Sequence, residues 1–150
     1  MRRRKPTCEL SIPSDTALLG LVRDVTREFA AASGFEEPTA SRIALAVDEA
    51  TTNVLEHAYR GAIDRNVGLR FDMRPTELRI EIVDSGEMVD PRDLPKVDVE
   101  QFANERRKGG LGVHLMERIM DQVTFRRVSR RNVCCMVKTR AGTAPKGEGR

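Results

Sequence analysis

The chain has 150 residues, 39% hydrophobic and 33% charged, the profile of a single soluble domain with its own core. No apolar run approaches the roughly 20 residues of a membrane-spanning helix, and no apolar segment follows the MRRRKP start as a secretory signal would require. The formal charge of +3 comes from the ends: setting aside Arg2, Arg3, Arg4 and Lys5, and the net +1 of Lys146 and Arg150 against Glu148, residues 6–140 carry −2. With five Phe, one Tyr and no Trp there is no aromatic platform for single strands, so neither nucleic acid nor membrane is expected as a partner. Three cysteines do not make a disulfide framework, and adjacent Cys134 and Cys135 in an apolar run read as small buried hydrophobes. The cytoplasm is the expected location.

In chain order, TCELSIPS at residues 7–14 alternates as a first strand. Ser14 or Asp15 is placed to cap a helix carrying Leu18, Leu19, Leu21, Val22, Val25 and Phe29, which Gly34 ends. Pro38 suits the first turn of a second helix, expected to run to about Arg60 and stop at Gly61. VGLRFDM and ELRIEIVD each alternate as half-buried strands around a turn at Pro75–Thr76. Residues 87–109 lack periodicity, and a loop of that length inside a domain points to a lid or a disordered segment. A helix from about Leu111 to Asp121 follows, then strands around VTFRRVS and NVCCMVKT. This order predicts an α+β two-layer sandwich with a mixed, largely antiparallel sheet and its helices on one face. The expected division is a basic disordered end at 1–6, one domain at 7–140 and a disordered tail at 141–150.

Three stretches could carry chemistry. In ALAVDEATTNVLEHAY the stripe Ile43, Val47, Ala50, Val54 and Ala58 faces the core, and Glu49, Asn53 and His57 lie along its flank. A carboxylate and an amide oxygen one turn apart suit a divalent cation and its waters, or a proton acceptor beside a metal ligand; a solvated face explains the spacing equally well. In IEIVDSGE a strand ends in Asp84-Ser85-Gly86, either a plain turn or an acceptor carboxylate beside a glycine that lets a flat ligand approach the backbone. In RRKGGLGVHLMERI, Gly109, Gly110 and Gly112 run into an amphipathic helix. That arrangement makes an anion site at the helix N-terminus, with Arg106, Arg107 and Lys108 adding positive charge, or a hinge after a loop. A P-loop, zinc spacing, a nucleophile elbow and the protein-kinase HRD and DFG motifs are all missing from the sequence.

Taken in order, ExxxNxxxHA on a helix, DxG after a strand, a lid, and GGLG opening a helix resemble the histidine-kinase-like ATPase superfamily, the Bergerat ATP-binding fold. The length and the two leading helices resemble its bacterial anti-sigma factor serine/threonine kinases, over about residues 7–140. The resemblance implies ATP and Mg2+ as cofactors, with Glu49 as general base and Asn53 as magnesium ligand. It further implies Asp84 and Gly86 at the adenine, residues 87–109 as the ATP lid, and Arg106, Lys108, Gly109, Gly110, Leu111 and Gly112 around the phosphates. The implied activity is phosphorylation of an anti-sigma factor antagonist by a homodimer that also sequesters a sigma factor. A regulatory binding module that keeps the fold without transferring phosphate is the second class, whereas a sensor histidine kinase would need a dimerising hairpin that the sequence does not supply. Two positions depart from the family pattern: Met88 replaces the second glycine of DxGxG, and Arg131-Asn132 stands where Gly-Thr is usual. Asn132 is expected to reach a base through water, in place of the hydroxyl that a threonine would offer.

Overall fold

Alternating apolar and polar residues in five segments produce one sheet in the computed structural model, which describes residues 6–87 and 111–140. The strands are β1 (Thr7–Pro13), β2 (Asn66–Met73), β3 (Glu77–Asp84), β4 (Gln122–Val128) and β5 (Arg131–Thr139). Their order is β1-β2-β3-β5-β4 and every described pair is antiparallel. The helices are α1 (Leu19–Ala32), α2 (Glu37–Asn53) and α3 (Leu111–Ile119). The expected α+β sandwich is therefore present.

The side-chain period of two puts Val67, Leu69 and Phe71, then Leu78, Ile80 and Ile82, on one face, where all are buried. Register aligns them across the sheet: Phe71 lies opposite Ile80, and Ile80 opposite Met136. Val22 and Ala30 of α1, Ile43 and Val47 of α2 and Met116 of α3 complete this core, and the Phe29 and Phe71 rings meet at 5.4 Å. Buried hydroxyls within the helices are satisfied locally: Thr26 donates to Val22 O at 2.6 Å and Thr51 to Val47 O at 2.8 Å. Cys134 and Cys135 are buried free thiols, as expected. Among the described residues no helix is long and apolar enough to cross a membrane.

Helix ends follow local chemistry, with two corrections. Gly34, at φ +97°, takes the left-handed conformation that closes α1, and Phe35 N–H returns to Ala30 O at 3.2 Å. Pro38 does sit in the first turn of α2. Asp15, however, caps a 3-10 turn over Thr16–Leu18, accepting from Ala17 N–H at 2.9 Å, and α1 starts only afterwards. Ser14 caps nothing: it donates to Ala62 O at 2.5 Å and accepts from Arg65 N–H at 3.1 Å, tying β1 to the segment before β2.

The second correction concerns the end of α2. Instead of running as one α-helix to Arg60, the chain widens after Asn53 into a π-helical turn, Val54–Ala58, with Tyr59 N–H bonded to Val54 O at 2.9 Å. At the α-helical rotation Tyr59 would point roughly 140° away from Val54; the wider turn leaves Val54, Leu55 and Tyr59 all buried. Arg60 (φ 49°) and Gly61 (φ 78°) then reverse the chain. Of the expected lid at 87–109, residues 88–109, Met88 included, lie outside the described residues, as do the ends at 1–5 and 141–150.

Candidate functional site

Asp84 continues the inward set Leu78, Ile80, Ile82 and so brings a carboxylate to a position on the core face, where it is only 7% exposed. Its Oδ1 accepts from Gly86 N–H at 2.9 Å and from Asn132 Nδ2 at 2.8 Å. Asn132 stands directly opposite in β5, and Arg127 of β4 opposite Asn132, so the three form one row across three strands. Arg127 Nη1 donates to Asn132 Oδ1 at 2.9 Å and to Gly86 O at 3.4 Å, and Asn132 Nδ2 also reaches the carbonyls of Gly86 and Glu87 at 3.2 Å. Burial holds the Asp84 carboxyl above the ordinary carboxylate value, against the opposing pull of Asn132, Gly86 N–H and Arg127. Among the described residues no donor bonds Oδ2. A single fixed acceptor oxygen at the end of a strand is a means of reading an N–H donor. Asn132, expected to reach a base through water, bonds Asp84 directly.

The turn after Asp84 is docked on the π-helical turn. A Cβ on Gly86 would fall on the Ala58 carbonyl and within 2.9 Å of Ala58 Cβ, so only glycine allows this approach. Ser85 N–H donates to the Tyr59 hydroxyl at 3.0 Å, and that hydroxyl donates to Asn66 O at 2.5 Å. Glu87 pairs with Arg60 at 2.5 Å. The end of β3 and the end of α2 are thus joined through backbone and buried hydroxyl contacts.

At the other end of this helical segment, α3 meets Glu49 and Asn53. A Cβ on Gly112 would stand 2.7 Å from Glu49 Oε2 and 3.8 Å from Asn53 Nδ2. Asn53 is 9% exposed, and its amide Nδ2 lies on the side that Gly112 approaches. Among the described residues His57 Nε2 is buried without a hydrogen-bond partner, and His57 lies within the π-helical turn. Among the described residues no group of three or more His, Cys, Asp or Glu side chains could hold a metal. A cation here would rest on the Asn53 amide oxygen and on oxygens brought by its ligand.

Residues Glu49 to Ala58 therefore form a floor roughly 13 Å long at helical rise, with Gly112 packed at one end and Asp84-Gly86 at the other. Glu49, Asn53, Asp84, Gly86 and Gly112 are brought onto this floor, and Leu111 opens α3. Arg106, Lys108, Gly109 and Gly110 lie outside the described residues. Arg127 is the site residue that motif spacing does not reveal. Its signal in the sequence is the alternation Val123, Phe125, Arg127, which puts an arginine where the inner face continues.

Comparison with known proteins agrees with this geometry. Residues 12–138 match the family model described as histidine kinase-like ATPase domain. The serine-protein kinase RsbW of Bacillus licheniformis is 30% identical over 127 residues, covering 82% of this chain and 79% of the relative. The RsbU and RsbW domains of a Mycobacterium tuberculosis protein superpose with a TM-score of 0.63 at 14% identity, covering 89% of this chain and 31% of that one. The SiaB–SiaC complex of Pseudomonas aeruginosa gives 0.58 at 12% identity, covering 93% of this chain and 92% of the matched one. At such identities the structural matches speak for the fold.

The two glycine contacts predict opposite consequences for the same substitution. Gly86→Ala drives a methyl into backbone and is expected to lower stability by about 1–3 kcal/mol. Gly112→Ala meets only the tip of a flexible carboxylate, so stability should stay within about 1 kcal/mol of wild type while Glu49 is displaced. Thermal unfolding of both variants checks the contrast; equal losses would contradict it.

Proposed function

The chain belongs to the histidine kinase-like ATPase domain family, with the RsbW serine-protein kinases among its relatives, and from that premise we propose that it transfers phosphate from ATP to a serine or threonine of an anti-sigma factor antagonist. The observation that carries the reading is the floor itself: at one end a buried carboxylate whose Oδ1 is held by Gly86 N–H and Asn132, at the other Glu49 and Asn53 against Gly112.

In this reading Asp84 Oδ2 accepts the adenine amino group, and Gly86 leaves room for the ring beside the helix end. Asn53 offers its amide oxygen to a magnesium ion. ATP and magnesium together supply the transferable group and the neutralisation of its charge. Gly112 and the start of α3 line the phosphate end, with Arg106, Lys108, Gly109 and Gly110 assigned there by the family pattern alone. Glu49 accepts the proton of the attacking hydroxyl, and the packing of Gly112 against its carboxylate orients it. Phosphoryl transfer asks a protein mainly for positioning and charge neutralisation, which suits so small a set of groups. The same reading includes a cytoplasmic homodimer that holds a sigma factor and releases it as antagonist and nucleotide dictate.

Glu49→Gln keeps the shape of the side chain and removes its basicity. It is expected to bind ATP as the wild type does and to transfer phosphate about 10²–10⁴-fold more slowly. Transfer of label from γ-labelled ATP to a purified antagonist domain measures this. A wild type that labels no antagonist, or a variant as fast as wild type, would overturn the kinase assignment.

A further inference from the structure

The row Arg127–Asn132–Asp84 does more than neutralise a buried carboxylate. Asn132 has one amide orientation that satisfies both neighbours: its NH2 group must face the Asp84 carboxylate and the carbonyls of Gly86 and Glu87, and its Oδ1 must face the Arg127 guanidinium. Reversal would set a carbonyl against a carboxylate and an amide N–H against a cation. Arg127 Nη1, by also donating to Gly86 O, closes the network back on the turn. Both donors to Asp84, Gly86 N–H and Asn132 Nδ2, end on the same oxygen, Oδ1, which fixes rotation of the carboxylate plane and leaves Oδ2 the one oxygen free of protein donors among the described residues.

We infer that Arg127 and Asn132 are positioning residues for base recognition: by holding Oδ1 of Asp84 they aim Oδ2 at the ligand and set selectivity for a base bearing an exocyclic amino group. The inference rests on the nucleotide reading above and adds its source of selectivity. Arg127 acts at two removes, through an exposed side chain on the edge strand. Asn132 acts directly, from the central neighbour of β3. Chains of hydrogen bonds that run from a cation through an amide to a carboxylate reinforce one another, so loss of either member loosens Asp84.

The test compares magnesium complexes of ATP and of purine riboside triphosphate, which differ only in the 6-amino group, by calorimetric titration of the whole chain. Wild type is expected to prefer ATP by about tenfold or more, the worth of one hydrogen bond to a charged acceptor. Asn132→Ala should lose ATP affinity and leave the analogue's affinity unchanged, so the preference falls toward one. Arg127→Ala should move it the same way by a smaller factor, and because its side chain is exposed it carries the test if the Asn132 variant does not fold. A merely structural role would weaken both nucleotides equally, and an unchanged preference in the folded variants would overturn the inference. Wild type that binds ATP without preferring it would also overturn the inference alone, whereas wild type that binds neither nucleotide would remove the nucleotide reading and the inference with it.

Discussion

A carboxylate buried at the end of β3 is the constraint around which the rest of this molecule is arranged. Asp84 stands at a position that its strand's alternation would give to another Ile or Leu, and desolvation raises its pKa. A group whose folded value lies above its unfolded one stabilises the fold below the unfolded value, and that contribution is lost as pH rises through the folded value. Ionisation of Asp84 is therefore a net cost to folding. Asn132, Gly86 N–H and Arg127 reduce that cost without cancelling it.

The neighbouring features follow from the need to bring a helix to this carboxylate. Tyr59 must be buried so that its hydroxyl can tie Ser85 to Asn66, and the π-helical turn is what turns Tyr59 inward. The same turn presents the Ala58 carbonyl to a position where only glycine fits, at Gly86. Upstream on the same segment the α-helical rotation still holds, and it delivers Glu49 and Asn53 to the start of α3 at Gly112. One continuous segment thus fixes the distance between the Asp84–Gly86 end and the Gly112 end, the two ends to which the proposed function gives the base and the phosphates.

Most of the architecture is legible in the sequence, because strand alternation and helix punctuation are local signals. Val67, Leu69 and Phe71, Leu78, Ile80 and Ile82, and the stops at Gly34 and Gly61 all announce their roles within a few residues. Glu49, Asn53 and Asp84 are legible through motif order, and the fold brings their segments together as that order implies. The π-helical turn is not legible, since VLEHAY keeps a plausible α-helical pattern and only the burial of Tyr59 against the sheet selects the wider turn. Nor is the Asn132–Asp84 bond, because it depends on the register of β5 against β3, which no local pattern sets. Ser14 misleads for a related reason: its hydroxyl has a local capping option, and a distant carbonyl at Ala62 wins.

Everything proposed for the site depends on Asp84 as the reader of the nucleotide base. The most direct test is calorimetric titration of magnesium-ATP into wild type and into Asp84→Asn, which keeps the shape and removes the charge. Micromolar binding by wild type is expected, weakened about 10–100-fold in the variant, together with a variant that unfolds at a higher temperature than wild type at neutral pH. Equal affinity in the two proteins, or no binding by wild type, would contradict the role given to Asp84.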